Sequence, residues 1–206
     1  MNNRGPIVYI VDDDVSICAA LALLLRSHGF KVETFTRAEG FLRYKHPNLP
    51  SCLVLDIQLP GINGLSLQEI MTRRSIAIPI IFITGHGDIP MSVKTMKAGA
   101  IDFLTKPFTK RKLLDAVTLA TSKSAVQVKE LSEISKIKRR VSTLSPRELE
   151  VFRLVAKGML SKQIAFKRGT SLQTIKVHRS RVMHKMRAKT VTELVRLAQK
   201  AGVTSS

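Results

Sequence analysis

Four short apolar runs in the first half of the chain each end on residues that can do chemistry. Ile7 to Val11 leads into Asp12-Asp13-Asp14, and Cys52-Leu53-Val54-Leu55 ends at Asp56. Ile80-Ile81-Phe82-Ile83 leads into Thr84-Gly85, and Ile101 to Thr105 leads into Lys106-Pro107. A carboxylate at the tip of a buried strand has little packing use. In open α/β sheets, however, ligands bind at the carboxyl ends of the strands. Acids, a hydroxyl and an amine converging on one rim suit a metal ion and a phosphoryl group. A divalent cation such as Mg²⁺ (or Mn²⁺) takes oxygen ligands and keeps several waters. Asp13 and Asp56 offer two carboxylates, the backbone carbonyl of Gln58 a third oxygen, and Asp12 a hold on metal-bound water. With charge neutralised there, the Asp56 carboxylate can attack phosphorus. Thr84 and Lys106 would bond the phosphoryl oxygens, with Gly85 leaving room beside them. Little more is needed, because phosphoryl transfer depends mostly on positioning and charge stabilisation. Taken singly, each residue has a plainer use, Asp14 in a solvated helix start, Thr84 as an N-cap and Lys106-Pro107 as a turn. Their joint order and spacing favour the site.

The elements that must position these residues alternate. Strand patterns fall near 7–11, 31–35, 52–56, 79–83 and 101–105. Helical patterns fall near 15–28, 37–45, 65–73, 90–98 and from 109 onward, with Gly29 and Gly99 where C-terminal caps belong. Such alternation is the signature of a parallel sheet with crossover helices. Five βα units of this length suggest a flavodoxin-like sheet of strand order 2-1-3-4-5, whose first and third strands flank the switch point. Asp12, Asp13 and Asp56 then face one another across that crevice.

Of 206 residues, 44% are hydrophobic and 24% charged, as in a soluble globular protein. No apolar stretch is long enough to span a bilayer, and Asp12 to Asp14 interrupt the first apolar run, so no signal-peptide pattern forms. A cytoplasmic location is expected. Cys18 and Cys52 read as buried, reduced thiols, too few for a disulfide framework. The formal charge of +19 is uneven. Residues 1–123 hold 15 Lys and Arg against 10 Asp and Glu, net +5, whereas residues 124–206 hold 19 against 5, net +14. The second part is therefore expected to meet a polyanion, nucleic acid before an anionic membrane surface.

From Phe108 to Ser145 there is no Gly or Pro, and Val128, Leu131, Ile134, Ile137 and Val141 recur at helical spacing. The last helix of the first domain can run on as an amphipathic linker, packed on its own domain or forming a dimer seam. At Ser145-Pro146-Arg147-Glu148 the pattern restarts with an N-cap, a proline at the first helical position and a glutamate three on. Short helices follow without strand patterns, as in a small all-helical domain. After Ser171, Ile175, Val182 and Met186 form a dry stripe. Gln173, Lys176, Val177, Ser180 and His184 lie near the opposite side, flanked by Arg179, Arg181, Lys185 and Arg187. That fits a recognition helix in a major groove. Lys176 and Gln173 would read base edges and Val177 a thymine methyl, while Arg179, Arg181 and Lys185 would hold phosphates.

The motifs VDDD, LVLDIQLPGINGL, FITGHGD and KAGAIDFLTKPF resemble the receiver domain of two-component response regulators, over roughly residues 5–123. The segment GHGDIPMSVKTMKAGAIDFLTKPF is similar to the FixJ/StyR/TodT-like group. The resemblance implies that Asp56 is the phosphoacceptor, Asp12 and Asp13 the acidic pair, Lys106 the lysine, Thr84 the switch hydroxyl and Phe103 the switch aromatic. It also implies a cis bond at Lys106-Pro107. On phosphorylation Thr84 would move toward the phosphate, Phe103 would follow inward, and the surface near helix 90–98, strand 101–105 and the helix after 108 would repack. LSPRELEVFRLVAKG, KQIA and TIKVHRSRVMHKMRAKT resemble the LuxR-type helix-turn-helix. The domain limits expected are 5–123 for the receiver, 124–143 for a helical linker and 144–203 for the helix-turn-helix. Arg168 and Thr170 stand where that family usually has apolar residues, and Leu160-Ser161 replaces a usual Ser-Asn, so local repacking or lower stability is expected there. Implied partners are a sensor histidine kinase, double-stranded promoter DNA, RNA polymerase and a second copy of the chain upon phosphorylation. An aspartate-nucleophile phosphatase is the rival reading. Those enzymes resemble a pattern with a second Asp two residues on, where this chain has Gln58. No enzymatic turnover beyond the receiver's own phosphorylation and dephosphorylation is expected.

Overall fold

The structure is a computed structural model that describes residues 5–85, 93 and 95–203. It divides into two compact units, Met1–Val128 and Lys129–Ser206.

In the first unit the strands are β1 (Ile7–Val11), β2 (Lys31–Phe35), β3 (Ser51–Asp56), β4 (Ile80–Thr84) and β5 (Asp102–Thr105). They form one parallel sheet of order β2-β1-β3-β4-β5. Every residue of β1, β3 and β4 is buried, whereas the edge strands β2 and β5 are partly exposed. Central strands of a parallel sheet are covered on both faces, which is why they read as continuous apolar runs. Between them lie α1 (Val15–Ser27), α2 (Ala38–Arg43) and α3 (Gly64–Arg73), and α4 (Lys110–Val141) follows β5. Side chains alternate across the sheet. Val8, Ile10, Val54, Ile81 and Ile83 pack with Leu21 and Leu25 of α1 and Leu113 and Val117 of α4. Tyr9, Val11, Leu53, Leu55 and Phe82 pack with Phe41 of α2 and Leu67 and Met71 of α3. Gly29, at φ +84°, ends α1 in the left-handed region, with its N–H on the Arg26 carbonyl. Of the helix expected at 90–98, residues 93 and 95–97 are helical, and 90–92 and 94 lie outside the described residues.

The 32 residues of α4 form one uninterrupted helix. Leu113, Ala116, Val117 and Ala120 belong to the core of the first unit, and Ile137 to that of the second. Leu131, within the apolar pattern of the linker, is 55% exposed. The rest of the second unit is α5 (Pro146–Ala156), α6 (Ser161–Arg168), α7 (Leu172–Met186) and α8 (Val191–Ala201). Phe152, Ile164, Ile175, Val182, Met186, Leu194 and Ala198 close its core. The start of α5 carries the expected reciprocal cap. The Ser145 hydroxyl accepts from the Glu148 N–H at 3.3 Å, and the Glu148 carboxylate accepts from the Ser145 N–H at 2.8 Å. The start of α6 has only half of one. Leu160 is its N-cap and offers no acceptor, while Gln163 Oε1 accepts the Leu160 N–H at 2.8 Å.

The charge of Arg168 stays at the surface. Its guanidinium meets Glu150 of α5 at 2.6 Å, and both side chains remain partly exposed. The long side chain carries its charge out of the core.

Candidate functional site

Strand register brings the chemistry together. Val11 pairs with Leu55, Asp56 with Ile83, and Thr84 with Thr105. The residues at or just past these positions, Asp12, Asp56, Thr84 and Lys106, therefore emerge at one rim of the sheet. Asp12, Asp56 and Thr84 are buried, with 1%, 6% and 0% exposure. Lys106 Nζ donates to Asp12 Oδ2 and to Asp56 Oδ2, both at 2.8 Å. The other oxygen of each carboxylate is held by backbone, since the Asp14 N–H donates to Asp12 Oδ1 at 2.9 Å and the Gln58 N–H to Asp56 Oδ1 at 3.1 Å. Both carboxylates are thereby fixed in direction as well as in place.

Burial pushes the Asp12 carboxyl above its ordinary value, against the opposing pull of the Lys106 ammonium. Desolvation alone would lower the Lys106 amine, but its bonds to Asp12 and Asp56 outweigh that and hold it above its ordinary value. Carboxylate oxygens of Asp12, Asp13 and Asp56 lie within 4.8 Å of one another, with Asp13 exposed. Three carboxylates against one ammonium leave two negative charges. That residue of charge, in an all-oxygen donor set, is compatible with a divalent cation.

The Lys106-Pro107 bond is cis. Phe103 pairs in register with Phe82 and packs, partly buried, against the core on the α3 side. Among the described residues, a Cβ at Gly85 would meet nothing within 4 Å.

One residue the sequence reading passed over is Gly64. A Cβ there would sit 2.4 Å from the backbone oxygen of Asp56 and 2.9 Å from the Cα of Ile57. The N-terminus of α3 thus presses directly on the chain that carries Asp56. The Gly64 N–H also donates to the Ile57 carbonyl at 3.0 Å, and Asn63 caps the helix through the Ser66 N–H. A glycine opening a helix after a good N-cap was the visible signal, but the close approach requires the third dimension.

In the second unit, α7 divides its residues by face. Ile175, Val182 and Met186 are buried, and Gln173, Lys176, Val177, Ser180, Arg181 and His184 are exposed. The two remaining candidates are engaged within the domain. Arg179 donates to Ser161 Oγ at 3.0 Å. Lys185 donates to Glu148 Oε2 at 2.6 Å and to the Thr143 carbonyl at 3.0 Å. Lys185 therefore ties α7 to the capping box of α5, and Glu148, itself 4% exposed, is the partner that turns it inward.

Residues 8–118 match the family described as response regulator receiver domain, and residues 142–198 the one described as bacterial regulatory proteins, luxR family. The chain is 45% identical over 200 residues to nodulation protein W of Bradyrhizobium diazoefficiens, spanning 97% of this chain and 88% of that protein. It is 41% identical over 200 residues to response regulator protein TodT of Pseudomonas putida, again spanning 97% and 88%. Among solved structures, the response regulator StyR aligns with a TM-score of 0.84 at 44% identity, over 95% of this chain and 99% of that one. With its five-stranded parallel receiver sheet, its acidic rim and its helical second unit, the chain belongs to the two-component response regulators that join a receiver domain to a LuxR-type DNA-binding domain.

Proposed function

We propose that Asp56 accepts a phosphoryl group from a sensor histidine kinase and that the modified protein binds promoter DNA through α7 and activates transcription. The observation that carries this reading is Lys106, whose ammonium reaches Asp12 and Asp56 at 2.8 Å each. Such an amine is placed to hold a phosphoryl oxygen once Asp56 is modified. Asp12, Asp13, Asp56 and the Gln58 carbonyl would hold Mg²⁺ or Mn²⁺, which supplies charge neutralisation at the phosphorus. Thr84 bonds the bound phosphoryl group, and Phe103 follows it inward, repacking the face around β5 and the start of α4. The protein promotes only its own phosphorylation and dephosphorylation.

The exposed face of α1, beside the rim, supports a protein donor. Val15 and Leu23 are 67% and 74% exposed, with Ala19 and Ala20 between them. This apolar stretch next to a phosphoacceptor, with the exposed Arg26 at its far end, suits docking of a kinase. On the DNA side, Gln173, Lys176 and Val177 read base edges, with Ser180 and His184 along the same stripe, and Arg181 holds a phosphate. Arg179 and Lys185 serve this surface by fixing α7 on α6 and α5. Phosphorylation favours a homodimer that places two recognition helices on paired half-sites, where RNA polymerase is recruited. The protein works in the cytoplasm, associated with the nucleoid when DNA is bound.

Intact mass after incubation with acetyl phosphate and Mg²⁺ tests the central step. A single phosphoryl adduct is expected on the wild type and none on Asp56→Asn. A folded wild type that gains no adduct, or an adduct that survives the substitution, overturns the assignment of Asp56.

A further inference from the structure

Buried polar groups are nearly always paired, yet two aromatic side chains that touch on the α2 face of the receiver sheet break that rule. The Tyr9 hydroxyl and both ring nitrogens of His46 are shut off from solvent, with no hydrogen-bond partner among the described residues. The two rings meet edge to face with 5.0 Å between centroids. The His46 ring also lies 4.5 Å from that of Phe41 and 5.5 Å from that of Tyr44. Phe35 closes the group against Tyr9, Phe41 and Tyr44. A phenylalanine at 46 would fill the same space and strand no nitrogen. Departures of this kind without a structural gain concentrate at functional sites.

Of the unpaired groups in the cluster, His46 is the one that can take up charge near neutrality. Burial first, and then Tyr44 and Glu33, pushes the Tyr9 hydroxyl up to about 12, so it stays neutral. Burial pushes the His46 imidazole below its ordinary value, and the Phe41 backbone, close enough to favour the proton though not bonded to it, does not offset that. Tyr9 of β1 and Tyr44 are the titratable groups whose rings face it. Glu33 of β2, Arg43 of α2 and Lys45 are exposed, and Glu39 of α2 turns a carboxylate oxygen toward Gly61. An imidazolium in this position has no carboxylate to meet.

The position of α2 depends on the cluster. The helix has six residues, its N-cap Arg37 makes no side-chain cap bond, and its C-cap is Tyr44. So short a helix is held by packing rather than by its own hydrogen bonds. Phe35 carries the consequence to the rim, because its carbonyl accepts the Asp12 N–H at 3.2 Å. We propose that His46 is a pH-sensitive latch of the receiver. Neutral, it completes the cluster that holds α2 and the tip of β2. Protonated, it leaves the cluster and slackens the support of Asp12. Acid thereby weakens both the fold and the phosphorylation of Asp56, the second of which rests on the phosphoacceptor reading. Because the folded value is the lower one, the contribution of His46 to stability is complete above its unfolded value of about 6.5 and is lost as pH falls toward the folded one.

The test compares the full-length wild type with His46→Phe, and with His46→Leu as a second variant. NMR titration of the wild-type ring, assigned through its contacts with Tyr9 and Phe41, should place its protonation below the ordinary histidine value. Between about pH 7.5 and about pH 5.5 the unfolding constant of the receiver should rise several-fold more in the wild type than in either variant, with about tenfold as the ceiling at one pH unit below 6.5. Over the same interval the rate of phosphoryl uptake from acetyl phosphate and Mg²⁺ should fall several-fold more in the wild type. A ring that titrates at or above its ordinary value overturns the latch. So do variants whose stability falls with pH as steeply as that of the wild type. Equal falls in rate overturn its link to the rim. A wild type that takes no phosphoryl group at either pH overturns the reading of Asp56 instead, and ring titration and unfolding then decide the latch by themselves.

Discussion

At the rim of the sheet Asp12 and Asp56 share the Lys106 ammonium with the exposed Asp13 beside them, and the two negative charges left over are compatible with a divalent cation. A ligand that binds only the folded state stabilises it by mass action, about 2.7 kcal/mol at a hundredfold excess over its Kd. Mg²⁺ should therefore raise the melting temperature of the receiver by several degrees. Asp13 is exposed and has no packing role, so Asp13→Asn should change metal-free stability by no more than about 0.5 kcal/mol. It should nevertheless abolish most of the Mg²⁺-dependent shift. Scanning calorimetry with and without the ion checks this, and an undiminished shift in the variant would remove Asp13 from the ligand set. These side chains were legible as candidates because each follows an apolar run. Gly64 was not, because its contact is with the Asp56 backbone across the loop rather than with anything near it in sequence.

Among the elements, α5 and α6 begin in opposite ways. The full capping box of α5 is completed by Lys185, whose bond to Glu148, with help from the Ser145 N–H, lowers the Glu148 carboxyl below its ordinary value. Because the folded value is the lower one, the contribution of this group to stability is complete above about pH 4.3 and is lost as pH falls through the folded value. Lys185→Met should cost about 1–2 kcal/mol at pH 7, discounted from the loss of a buried pair because the lysine is partly exposed. The same change should flatten the fall in stability of the helical domain as pH drops below about 4.3. Denaturant unfolding from pH 7 down through that range measures both, and a variant as pH-dependent as the wild type would exclude the pair as the source. The start of α5 could be read from Ser145, Pro146 and Glu148 because a cap is a local device. The reach of Lys185 to it, across 37 residues, could not. Likewise the pairing of Arg168 with Glu150 of α5 could not be read from the sequence.

For the whole molecule, the excess of positive charge in residues 124–206 makes DNA binding salt-dependent, with log K falling by about 0.9 per phosphate contact per decade of salt. Arg181→Gln, on the exposed face of α7, should reduce that slope by about 0.9. Lys185→Gln should leave it unchanged, because that ammonium is engaged at Glu148 and Thr143. Anisotropy titrations at several salt concentrations, on a DNA fragment that the wild type selects from a random-sequence pool, distinguish them, and a reduced slope for Lys185→Gln would return that lysine to the phosphate contacts.

The sequence by itself determined the order of strands and helices, the strand tips that carry acid, hydroxyl and amine, and the helix that carries a basic face. Those properties follow from periodicity, caps and motifs that act over a few residues. Only the tertiary structure decided that Lys106 lies between Asp12 and Asp56, 94 and 50 residues away, that Lys185 turns inward, and that Phe166 is left outside. The physical reason is that such contacts are made by elements packing across the core, and where a long side chain comes to rest depends on what the fold brings beside it.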